Sequence, residues 1–147
     1  MSRRALQELL ADGALERVAA DGETARQELD TARRHVETAR AIADADPTAA
    51  FAVGYDAMRK AISAHMRAAG YRVARRQGHH HWTGRYASAA IGGEDVAAHI
   101  EAFDDLRQLR NQSEYDALLV EPRDVAELLD HADGLIAAII RDLGVSG

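Results

Sequence analysis

The sequence predicts an all-α fold: an antiparallel up-and-down bundle of five to six helices, in one domain spanning residues 1–147. Three observations predict it. Alanine, the strongest helix former, is the commonest residue with 31 copies, whereas strand formers are thin at 8 Val, 7 Ile and 5% aromatic. Only 2 prolines interrupt the chain. Apolar residues recur at three- and four-residue spacing between short polar breaks, so successive helices are expected to pack antiparallel. A chain of 147 residues is long enough for one substantial core.

Ser2 can cap a first helix from Arg3 to about Ala20, with an apolar stripe of Leu6, Leu9, Leu10 and Val18, ended by Asp21-Gly22. Thr24 and Gln27 form a capping-box pattern that opens a second helix to about Ala45. It carries few large apolar residues: Leu29, Val36 and Ile42. Asp46-Pro47 restarts the chain with a capping acid and proline at the first helical position. The third helix, Thr48 to Ala69, presents Phe51, Tyr55, Met58, Ile62 and Met66 amid alanines, and Gly70 supplies its left-handed end. Tyr71 to Gly78 reads as a loop. A short helix follows from His80 to Ile91, interrupted near Gly84 and broken by Gly92-Gly93. The fifth helix runs from Asp95 to about Leu118. The last starts at Pro122, carries Val125, Leu128, Leu129, Leu135, Ile136, Ile139 and Ile140, and ends at Gly144.

Composition excludes several classes. With no cysteine, disulfide frameworks and thiolate metal sites are out. No apolar run approaches the ~18 residues of a membrane span. Nothing after Met1-Ser2-Arg3-Arg4 resembles a signal peptide, so a cytoplasmic location is expected. There is no Gly-rich phosphate loop, nucleophile elbow or dinucleotide fingerprint, and no cofactor is expected. Adjacent residues on a helix point about 100° apart, so His79, His80 and His81 do not converge on one metal ion. His35, His99 and His131 stand isolated.

The fifth helix carries an anomaly. Val96, Ile100, Phe103 and Leu118 share one face, and Glu101, Asp105, Gln108, Gln112 and Asp116 take the opposite side. Arg107, Arg110, Asn111 and Glu114 continue the apolar stripe instead. Unpaired buried charge costs several kcal/mol per ion. These groups therefore form a satisfied polar layer, line a cleft, or meet a partner. Arg107 with Asn111 and Arg110 with Glu114 are spaced for local pairing.

The segment Leu109-Arg110-Asn111-Gln112-Ser113-Glu114-Tyr115-Asp116 resembles the HEPN family (higher-eukaryote and prokaryote nucleotide-binding). So does Phe51-Ala52-Val53-Gly54-Tyr55-Asp56-Ala57-Met58-Arg59-Lys60-Ala61, followed by Gly70-Tyr71-Arg72 and then a histidine. The similarity covers about Leu29 to Leu143. It implies a helical bundle that forms a homodimer, in a toxin–antitoxin or stress and defence system. It also implies binding or metal-independent cleavage of RNA or nucleotide, and a nucleotidyltransferase-type or other cognate protein partner. Arg110 matches the motif arginine and Asn111 the polar residue after it. The family's histidine is absent: Tyr115 follows Arg110 after four residues. The sequence thus resembles the branch that lacks the motif histidine. Arg110, Asn111, Glu114 and Tyr115 are the candidate catalytic residues. A second function is compatible with the same polar face, that of a non-enzymatic interaction module, an adaptor or antitoxin-like partner.

The charge is uneven. The total is -6, but between Asp56 and Glu94 there is no acid and there are seven cations, Arg59, Lys60, Arg67, Arg72, Arg75, Arg76 and Arg85, which leaves -13 elsewhere. Tyr71, Trp82 and Tyr86 could stack on bases while Arg72, Arg75, Arg76 and Arg85 meet phosphates. Arg107, Arg72, Arg75, Arg76, His79, His80, His81, Trp82 and Arg85 are accordingly the candidate RNA- or nucleotide-binding residues. The competing expectation is self-neutralisation by acids such as Glu94, Glu101, Asp104 and Asp105.

Overall fold

A computed structural model of the chain describes residues 2–75, 78–115 and 120–144, with 110–115 described as helical backbone alone. The described residues form six helices and one two-stranded ribbon. The order is α1 (Arg3–Ala11), β1 (Leu15–Arg17), α2 (Gly22–Ile42), α3 (Pro47–Ala69), β2 (Tyr71–Val73), α4 (His79–Ala90), α5 (Glu94–Tyr115) and α6 (Pro122–Leu143). The chain is mostly helical, as its alanine content predicts. Among the described residues, no helix is long and apolar enough to cross a membrane.

Local chemistry explains most helix ends. The Ser2 side chain accepts from the Ala5 amide, and Asp46 accepts from Ala49 with Pro47 at the first helical position. Gly70 takes a left-handed conformation after α3, with φ of 85°. For α2 the cap is Asp21, whose carboxylate accepts from the Thr24 amide at 3.0 Å and from the Thr24 hydroxyl at 2.6 Å. The expected Thr24–Gln27 box is therefore replaced by an acid three residues earlier, because a carboxylate accepts more strongly than a hydroxyl.

Two expectations are corrected together. The first helix stops at Ala11 rather than Ala20, and the stretch after Gly70 is not a plain loop. Gly13 turns the chain with φ of 78°. Leu15–Arg17 then pairs antiparallel with Tyr71–Val73, in the register Leu15↔Val73, Glu16↔Arg72 and Arg17↔Tyr71. Three-residue strands more than fifty residues apart carry no local signal. The α4 helix runs unbroken through Gly84, which also differs from expectation.

The central element is α3, which touches α2, α4, α5, α6 and β2. It is buried nearly all round, as its mixed apolar surface requires. Its most extensive contact is with α2, whose buried residues Ala25, Leu29, Ala32, Val36 and Ala39 repeat every three or four positions. Such small side chains suit a close approach of the two backbones. On the other side, α6 supplies the large residues Val125, Leu128, Leu135 and Ile139, all fully buried. Each such side chain contributes about 1.5–3 kcal/mol of burial free energy. With α2 and α6 thus covering α3, its remaining polar strip opens toward the ribbon and the start of α4.

Candidate functional site

The basic tract folds into a groove. Arg59, Lys60, Ser63 and Arg67 recur along α3 at helical spacing, so they present one polar strip. The ribbon brings up Tyr71 and Arg72, the chain beyond it brings Arg75, and α4 begins with His79. The α2 helix closes the other wall with Thr24, Gln27, Glu28 and Thr31. Together they line a groove of about 920 Å³. Its lining carries five permanent cations, Arg59, Lys60, Arg67, Arg72 and Arg75, against two carboxylates, Asp21 and Glu28.

The neutralising acids precede the tract rather than follow it. The Asp56 carboxylate accepts from Arg59 at 2.9 and 2.7 Å, and lies 3.5 Å from the Lys60 ammonium. Burial pushes the Asp56 carboxyl up, but the hydrogen bond and charge of Arg59, with the charge of Lys60, outweigh it and hold the group below the ordinary range. Arg67 donates to Glu28. Arg72 donates to Glu16 at 2.6 Å, directly across the ribbon. The Glu28 Oε2 atom is buried with no hydrogen-bond partner among the described residues. Arg75 is exposed and has no carboxylate partner among them. Of the acids expected to neutralise the tract, Asp104 pairs instead with Arg107, at 3.2 Å.

The candidate residues are dispersed. Arg72, Arg75 and His79 line the groove. His80 turns inward, its Nδ1 lying 3.1 Å from the Tyr55 hydroxyl. His81 stands edge-on to Trp82, with ring centroids 5.0 Å apart. Trp82 and Arg85 line a separate hollow against α1. Tyr86 is wholly buried, so it offers no base a stacking face. Of the three aromatics considered for stacking, Tyr71 alone reaches the groove, with Arg17 over its ring at 5.5 Å. Arg76 and the side chains of Arg110, Asn111, Glu114 and Tyr115 lie outside the described residues.

Two histidine contacts escape sequence reasoning. His65 on α3 is 3% exposed, and its Nδ1 lies 2.8 Å from the Tyr86 hydroxyl and its Nε2 2.5 Å from Asp142 Oδ2. His99 and His131, far from isolated, meet through their Nδ1 atoms at 3.0 Å between α5 and α6. Gly134 makes room for this pair: a Cβ there would come within 2.2 Å of His99 Nε2. Partners 21 to 77 positions apart leave no trace in local periodicity. Arg59, Lys60 and Arg67 were recoverable, since their spacing already marks one face of α3.

The His99–His131 bond needs one ring to accept, so both cannot be protonated while it lasts. Burial, then the His131 charge, holds His99 below its ordinary value, with Asp95 opposing weakly. A depressed histidine stabilises the fold fully above its unfolded pKa of ~6.5, and that contribution falls as pH drops from there toward the folded value. Thermal melts from pH 7.5 to 5 are expected to fall more steeply for wild type than for His99→Asn. Parallel curves would remove this coupling.

No protein family, curated protein or solved structure matches this chain. Among the described residues, no cluster of three potential metal ligands is found.

Proposed function

We propose that the protein binds RNA or nucleotide through the α2–α3–β2 groove, as a HEPN-like antiparallel bundle acting in a toxin–antitoxin or stress and defence system. One observation carries the reading: five permanent cations from α3, β2 and the segment after it converge on one concave surface, in a chain that is net acidic elsewhere. Arg and Lys reach phosphate oxygens, and clustering them in a concavity focuses the field on an anion. The α5 residues Arg110, Asn111, Glu114 and Tyr115 form the catalytic arm of the same proposal. There Arg110 would stabilise phosphate charge, while Asn111 and Glu114 would orient groups. Homodimerisation and a cognate protein partner belong to the proposal as well.

Fluorescence anisotropy with a labelled RNA oligonucleotide and a labelled nucleoside triphosphate tests the groove. The double variant Arg72→Glu/Arg75→Glu is expected to bind at least about tenfold more weakly, with a shallower salt dependence. Arg85→Glu, outside the groove, serves as the control and should bind as wild type does. Undiminished binding by the double variant would overturn the assignment. Incubation with tRNA in the absence of metal reads the catalytic arm, and equal cleavage by wild type and Arg110→Ala would remove it.

A further inference from the structure

Resting on that reading, we infer that the groove is a polyphosphate clamp. It accepts a chain of contiguous phosphates, inorganic or nucleoside-borne, in preference to a single phosphate or an extended phosphodiester strand, and Glu28 is the counter-anion that the ligand displaces from Arg67.

The pairing pattern supplies the selectivity. Arg59 and Lys60 already share Asp56, Arg67 holds Glu28, and Arg72 holds Glu16. A lone phosphate that takes one of these cations merely replaces one anion by another, and the displaced carboxylate stays nearby because the fold anchors it. A ligand with several linked charges behaves differently. Once one phosphate engages Arg75, which has no carboxylate to displace among the described residues, the others reach Arg72, Arg67 and Arg59 at high effective concentration. The pairs are exposed or partly exposed, with side-chain accessibility from 22% for Glu28 to 67% for Arg72, so each exchanges readily.

Glu28 is the weakest of these counter-anions. Its Oε1 takes the bond from Arg67 while its buried Oε2 has no hydrogen-bond partner among the described residues. A desolvated oxygen without a donor is costly. When a phosphate takes Arg67 and Glu28 turns outward to water, that cost is relieved, so the exchange is favoured at this pair.

Geometry limits ligand length. The cationic strip on α3 from Arg59 to Arg67 spans about 12 Å at 1.5 Å per residue. A longer strand would leave the strip, in a chain whose residues outside 57–93 carry a net -13.

Calorimetric titration in the presence of a metal chelator tests the inference. The ligands are phosphate, pyrophosphate, tripolyphosphate, a nucleoside monophosphate, the matching triphosphate and a short single-stranded RNA. Both triphosphates are expected to bind at least about tenfold tighter than the single phosphates or the RNA. Equal affinity of tripolyphosphate and nucleoside triphosphate assigns recognition to the phosphate chain alone; tighter nucleoside triphosphate binding assigns the nucleotide as its source. Glu28→Gln should tighten triphosphate binding several-fold, and an unchanged or weakened affinity would overturn the role of Glu28. Equal binding of single and triple phosphates, or RNA binding tighter than triphosphate, would overturn the clamp and leave the groove reading standing. Failure of every anion to bind would overturn both.

Discussion

Replacing Phe103 with alanine is expected to destabilise the protein by about 3–5 kcal/mol. The Phe103 ring is fully buried and stacks on Tyr55 at a centroid distance of 5.1 Å and an angle of 7° between planes. It also lies beneath Gly84 of α4, where an added Cβ would come within 3.4 Å of the ring. One side chain thus joins α3, α4 and α5. Truncation removes the transfer free energy of the ring, leaves a cavity that three helices cannot collapse together, and discards an aromatic pair worth about 0.5–1.5 kcal/mol. Domains of this size have total stabilities of about 5–15 kcal/mol, so the loss is a large fraction of the whole. Urea unfolding measures it. A loss below about 1 kcal/mol would mean that α5 is not seated as described, whereas Phe103→Leu should recover more than half of the deficit.

Replacing His65 with leucine is expected to cost about 2–4 kcal/mol, mainly by stranding its partner. Burial, with added repulsion from Tyr71 and Asp142, pushes Tyr86 well above the usual tyrosine range, so its hydroxyl keeps its proton. That hydroxyl shares a hydrogen bond with His65 Nδ1, and His65 Nε2 shares another with Asp142, linking α4, α3 and α6 in one chain of bonds. In His65→Leu the Tyr86 hydroxyl remains buried with no hydrogen-bond partner at residue 65. Asp142 loses less, since its side chain is 34% exposed and water can replace the lost donor. Removing both partners should be milder than removing one. The double variant His65→Leu/Tyr86→Phe is accordingly expected to regain about half of the lost stability. A double variant as unstable as the sum of the singles would show that the bond is not what holds these helices.

Much of the helical framework was legible because it is local. Asp46-Pro47, Gly70 and the apolar repeats of α3 and α6 act within one or two turns, so sequence spacing describes them. The candidate site was only partly legible. The excess of positive charge between Asp56 and Glu94 was visible, but not which cations share a concavity. Arg85 and Trp82 look equivalent to Arg72 and Tyr71 in sequence, yet they face a different hollow, because α4 turns them toward α1. Tyr86 looks like a surface ring in a polar stretch, but it lies inside against His65. The acids that neutralise the tract lie on elements that precede it, and only folding brings Glu16 and Glu28 alongside Arg72 and Arg67.

Composition, caps and periodicity suffice for a helical domain with one charge-segregated region, since helix formation is decided among neighbours three and four residues apart. The ribbon between Leu15–Arg17 and Tyr71–Val73, the Tyr86–His65–Asp142 chain, the His99–His131 contact and the groove itself depend on segments that meet after the chain has collapsed around α3. Their partners are set by which faces α2 and α6 leave open once they have buried their own apolar stripes. Those pairings are long-range consequences of packing, and no local pattern encodes them.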